Sequence, residues 1–127
     1  MYKIISMAAL LSMSSMAMAD DPITPADLSH EAQEKMFTMV SEYNRCMLMT
    51  EPKNAKDVKT VQDYAQALMD QCESHMQSLK TFLSEQHVNE PLIEGMSKTL
   101  RSKAARQLMT RSMNNMAAQA AAAENSN

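Results

Sequence analysis

Two cysteines, three histidines and fifteen methionines carry most of the chemistry that this 127-residue sequence offers. Cys46 and Cys72 are its only cysteines, and each falls on an apolar stripe of helical spacing. Thiols facing each other across a helical hairpin close a disulfide in an oxidising compartment. A redox-active pair sits instead in a short Cys-x-x-Cys loop at a helix start, where the helix dipole lowers a thiol pKa. Neither cysteine has that setting, so the expected Cys46–Cys72 bridge is structural. Cys46 lies about one turn from the end of its helix and Cys72 three or more turns into the next. At 1.5 Å per residue their heights differ by roughly 10–12 Å, so the connector must climb back alongside one helix.

Thioether sulfur is a soft donor suited to Cu(I), and methionine with histidine makes a copper site. The candidate ligands are His75 and Met76, with Met109, Met113 and Met116 sharing one helical face at i, i+4, i+7. Met36 with Met39 and Met47 with Met49 are further pairs. A simpler role competes. Aromatic residues are only 4% of the chain, and flexible methionine fills irregular cores and adaptable interfaces where bulk is short. Five of the fifteen methionines fall in the first 19 residues, a segment that needs no metal. Filling is therefore the stronger reading, no cofactor is expected, and copper is the alternative. His30-Glu31 opens like a zinc-protease helix, but Glu34 stands where the second histidine belongs.

No signature of catalysis is present. The single glycine leaves no phosphate-cradling loop and no Gly-x-Ser-x-Gly elbow. Glu31 with Glu34, and Asp70 with Glu73, are i, i+3 carboxylates expected on solvated helix faces, not a shielded acid–base pair. A Cys-x-x-Cys-His haem attachment site is missing. Leu28 to Gln33 does not reproduce the Leu-Thr-x-x-Gln repeat of envelope-stress chaperones: serine replaces threonine, one residue is inserted and no second copy follows. No motif places the chain in a family, and a non-enzymatic protein is expected.

The elements that position these residues are helices. One glycine in the whole chain argues against hairpins and bulges, hence against β structure. Met1–Ala19 reads as an export signal, with Lys3, an apolar Ile4–Met13 and a small-x-small Ala17-Met18-Ala19. Cleavage after Ala19 would send the mature chain to the periplasm. Residues 20–123 are then one small helical domain, and 124–127 a fraying tail. A first helix is expected from the Thr24-Pro25-Ala26-Asp27 cap with an Ile23–Leu28 staple, ending near Thr50 because Pro52 disfavours helix before it. A second starts at the Thr60/Asp63 box, or earlier at Asn54/Asp57, and carries the cleanest stripe, Val61 to Leu83. A third starts at Asn89-Glu90-Pro91 with a Val88–Ile93 staple; Gly95 inside it is a potential break.

Charge is divided along the chain. Asp20 to Glu94 holds 14 acidic and 6 basic residues, net −8, whereas Gly95 to Asn127 holds five basic residues and only Glu124, net +4. Lys98, Arg101, Lys103, Arg106 and Arg111 make the third helix basic. Packing against the acidic hairpin would use these charges internally. Left exposed, they would meet a partner protein, a second copy or an anionic membrane surface; export and net acidity argue against nucleic acid. The sequence thus predicts an all-α three-helix bundle, its antiparallel hairpin stapled by one disulfide and followed by a long basic third helix. The expected role is an envelope interaction or chaperone-like module using that helix.

Overall fold

The structure is a computed structural model describing residues 21–126. The expected export signal, Met1–Ala19, and Asn127 lie outside the described residues. Helices α1 (His30–Met49), α2 (Val61–Glu85) and α3 (Glu90–Glu124) pack into a three-helix bundle. Single 3-10 turns at Pro25–Asp27 and Ala55–Asp57 precede the first two helices.

The helix starts follow their capping chemistry, with one shift. Thr24 and Asp27 do make a box, the Asp27 carboxylate accepting from the Thr24 N–H and hydroxyl at 2.8 and 2.7 Å. It closes only the isolated turn, however. Leu28 is extended, and α1 begins afresh with Ser29, whose hydroxyl accepts from the Ala32 N–H at 3.2 Å. The Ile23–Leu28 staple is therefore corrected: Ile23 pairs with Val88 in an isolated parallel bridge, and its carbonyl accepts the Asn89 N–H at 3.1 Å. Leu28 alone enters the core. Thr60 and Asp63 cap α2 reciprocally, and the earlier Asn54/Asp57 signal makes only its own turn.

The connector returns along α2, as the heights of the two cysteines require. The Gln71 side chain holds it there: its Oε1 accepts from the Lys53 N–H at 3.0 Å and its Nε2 donates to the Glu51 carbonyl at 3.3 Å. Beside this clamp Cys46 and Cys72 are disulfide-bonded, with Cα atoms 5.8 Å apart. The staple thus joins the upper part of α1 to the middle of α2.

The α2–α3 corner is a tight helix stop. The His87 N–H bonds to the Ser84 carbonyl at 3.0 Å and the Val88 N–H to that of Leu83 at 3.1 Å. This double bond pattern requires a left-handed residue between them, and His87 supplies it at φ 60°. Val88 and Leu83 are both buried, adding the apolar contact that accompanies this stop. Asn89 sits at the cap of α3 without a side-chain cap bond, and α3 runs through Gly95 unbroken.

The core fills the space between the helices with Tyr43, Met47, Leu68, Cys72, Met76, Leu79, Leu83 and Ile93, all wholly or almost wholly buried. Met47 and Met76 are therefore core residues, each contributing about 1.5–3 kcal/mol through burial. At 1.5 Å per residue α3 is about 52 Å long and α2 about 37 Å, so α3 overshoots the hairpin by about 15 Å. Leu108 is its last buried residue, and every position from Met113 to Ser126 is exposed.

Candidate functional site

Three features carry polar or unpaired chemistry: a charged cluster across the three helices, the basic residues of α3, and its overshooting end.

Tyr43 of α1, Glu73 of α2 and Arg101 of α3 form the cluster. Arg101 Nη2 donates to Glu73 Oε1 in an ion pair, and Gln77 Nε2 donates to the same carboxylate oxygen at 2.7 Å. Partial burial works against the Glu73 carboxylate, but the bonds from Gln77 and Arg101 and the nearby positive charge prevail and hold its pKa below the ordinary value. The Tyr43 hydroxyl is buried without a hydrogen-bond partner among the described residues. Burial pushes its pKa up, with Arg101 opposing and Glu73 reinforcing that shift. Glu73, expected on a solvated helix face, stays 38% exposed there while its carboxylate reaches across to the basic α3. The pair is 28 positions apart and no local pattern announces it. Tyr43 was legible only as a core position. The cluster thus brings together side chains from all three helices, with the Arg101–Glu73 pair joining α2 to α3.

The basic residues divide. Arg101 turns inward to Glu73, and Arg111 Nη1 donates to the Leu48 carbonyl at 2.6 Å. That carbonyl lies in the last turn of α1, where the helix dipole favours a cation. Lys98, Lys103 and Arg106 are exposed, but helical geometry spreads them around the solvent half of α3 instead of along one stripe. A second ion pair, Lys80 with Glu94, also joins α2 to α3. Of the five basic residues of α3, only Arg101 pairs with a hairpin carboxylate among the described residues, and so exposed a pair sets register more than stability.

The overshooting end of α3 presents the opposite chemistry. Met109, Met113 and Met116 are 37%, 65% and 61% exposed and share the face turned away from the core. At the base of this arm a cleft of about 300 Å³ is lined by Leu48, Met49, Tyr64, Leu108, Arg111 and Asn115. Sequence reading singled out the three methionines. Met49, named with Met47 as a further pair, ends α1 at 74% exposure and lines the cleft, as does Tyr64 of the α2 stripe.

The copper candidates do not converge. The Lys80–Glu94 and Glu73–Arg101 pairs set an antiparallel register in which His75 lies opposite position 99 of α3. Met109 is ten residues, about 15 Å, further along the axis. Met76 is wholly buried and the Cys72 sulfur is in the disulfide. Only Met109, Met113 and Met116 remain together and accessible. Among the described residues no group of three or more His, Cys, Asp or Glu is arranged to hold a metal.

Fold and site together define a small disulfide-stapled all-α bundle with one projecting helical arm. No known protein family, curated protein or solved structure matches this chain.

Proposed function

We propose that this is an exported, non-catalytic interaction module whose projecting α3 arm docks onto another polypeptide. The observation that carries the reading is the row Met109, Met113 and Met116, exposed on one face of a helix that outruns its own bundle. A 35-residue helix whose last three turns are exposed among the described residues keeps its apolar side chains in water unless a partner covers them. Methionine suits that task, being flexible and polarizable enough to fit a partner surface that is not its exact complement. An amphipathic helix with anchors at i, i+4 and i+7 is also a common form of helix-mediated recognition.

The rest of the molecule supports an arm held rigidly. Arg111 ties its base to the end of α1, and the disulfide holds that end against α2. Tryptophan is absent and no phenylalanine follows Phe82, so the arm lacks the aromatic anchors of lipid-inserting helices. Export is supported by Met1–Ala19 as read from sequence, and by a disulfide of the kind that persists in oxidising compartments. No helix among the described residues is long and apolar enough to cross a membrane.

The test is photo-crosslinking in the native cell envelope, with a photoreactive residue at position 113 or 116 and a control at Lys103, exposed off the methionine face. Polypeptide adducts at 113 and 116 but not at 103 support the reading. Adducts to lipid alone, or equal labelling at all three sites, overturn it.

A further inference from the structure

The arm has a spacing that its three methionines alone do not show. Continuing along the same face, Met109, Met113, Met116, Ala120 and Ala123 follow one another at intervals of four, three, four and three residues. That is the a/d period of a coiled-coil seam. It lies entirely on the solvent side of α3, opposite Ser97, Ala104 and Leu108, which face the core. All five positions are exposed, and only Arg111 and Glu124 are charged between Met109 and Glu124.

The order of sizes along this seam is directional: three large residues and then two small ones. Laid antiparallel on a copy of itself, with facing residue numbers summing to about 229, Met109 meets Ala120 and Met113 meets Met116. Large then faces small at both ends, and the two bulkier layers meet at the centre, which is how facing seams fill space evenly. The same register places Glu124 beside the partner copy's Arg106, and the two-fold axis repeats that pair. A parallel pairing would instead set Arg106 against Arg106 and leave the Ala layers thin.

We infer that the partner covering the arm is a second copy of this chain, joined antiparallel through Met109, Met113, Met116, Ala120 and Ala123. The inference rests on the docking role proposed above and names its partner. Each bundle then stands at one end of the dimer, and each arm tip lies along the outer surface of the other copy's α3. Lys98 and Lys103 stay outside the contact. The seam is only about two heptads long, so the dimer exchanges with monomer over the micromolar range.

The test is sedimentation of the purified full mature chain across that range, with helicity followed by circular dichroism. The wild type is expected to pass from monomer to dimer. Met113→Glu with Met116→Glu should stay monomeric at every concentration with unchanged helicity, since both positions are exposed. Arg106→Glu should weaken association about tenfold, because the axis repeats the contact and attraction becomes repulsion. Adding Glu124→Arg to that variant should restore association. A dimer that survives the two methionine substitutions, or a charge exchange that fails to rescue, overturns the pairing. A chain that stays monomeric overturns it as well; if position 113 still crosslinks to another polypeptide in the envelope, the docking role stands without it. Monomers that bind phosphatidylglycerol vesicles through the same methionines overturn both.

Discussion

Reducing the Cys46–Cys72 bond should cost this protein a large part of its stability while leaving its fold recognisable. The bond closes a loop of 26 residues, which in the chain-entropy picture contributes about 3.5 kcal/mol at 25 °C. A domain of this size has about 5–15 kcal/mol in total. The reduced protein therefore stays folded at room temperature but with a thin margin, since the buried Met47, Leu68, Met76 and Leu79 still join the helices. At roughly 4 °C per kcal/mol the melting temperature should drop by about 14 °C. Urea unfolding followed by circular dichroism, with and without dithiothreitol, is the direct measurement. Reduction is preferable to substitution here because Cys72 is wholly buried, and truncating it would add a cavity cost to the entropy cost. Identical midpoints in the two conditions, or two titratable thiols in the untreated protein, would refute the reasoning. A far larger loss, with the helices themselves melting, would show that α1 docks only through the bond.

Four further outcomes follow from particular residues. His87→Gly and Gly95→Ala should each stabilise by about 1 kcal/mol in thermal melts: the first relieves a side chain held at φ 60°, and the second fills a helical site where an added Cβ meets nothing within 4 Å. Tyr43→Phe should be neutral or stabilising by about 1 kcal/mol, since it removes a buried hydroxyl without a partner. Because burial raises the Tyr43 pKa, the wild type should lose stability as pH rises past the ordinary tyrosine value, and the Phe variant should lose less; a strongly destabilised variant would show that the hydroxyl has a partner after all. Glu73 has a lowered folded-state pKa, so its contribution is present above the ordinary glutamate value and lost as pH falls through the folded one. Glu73→Gln should therefore flatten the acid limb of the stability profile, by less than about 1 kcal/mol for so exposed a pair.

Much of the fold was legible because each helix carries its own boundaries. Thr60 with Asp63, Pro91 in the first turn of α3, and Pro52 after Thr50 mark starts and stops that local chemistry enforces. The disulfide was legible because both cysteines lie on stripes that must be buried. The start of α1 was not, because Thr24 and Ser29 are competing caps five residues apart. Ser29 is the cap that starts α1, while the turn capped by Thr24 stays separate and the preceding Ile23 carbonyl accepts a bond from Asn89, distant in sequence. The methionine face was legible from i, i+4, i+7 spacing alone. The inward turn of Arg101 and Arg111 was not, since their partners Glu73 and Leu48 are chosen by how three helices sit together and not by any neighbour in the chain.

The hydrogen bond from Asn89 to Ile23 also gives the molecule a polarity. It hitches the amino-terminal segment to the α2–α3 corner, while the arm leaves from the opposite pole, beyond the carboxyl end of α1. A bead, tag or surface fastened ahead of Ile23 would therefore hold the bundle by its base and leave the methionine row reaching outward. Fastening after Glu124 would bury that row against the support. Immobilised binding assays run in the two orientations should accordingly differ, and the amino-terminal attachment is the one that leaves the methionine row available.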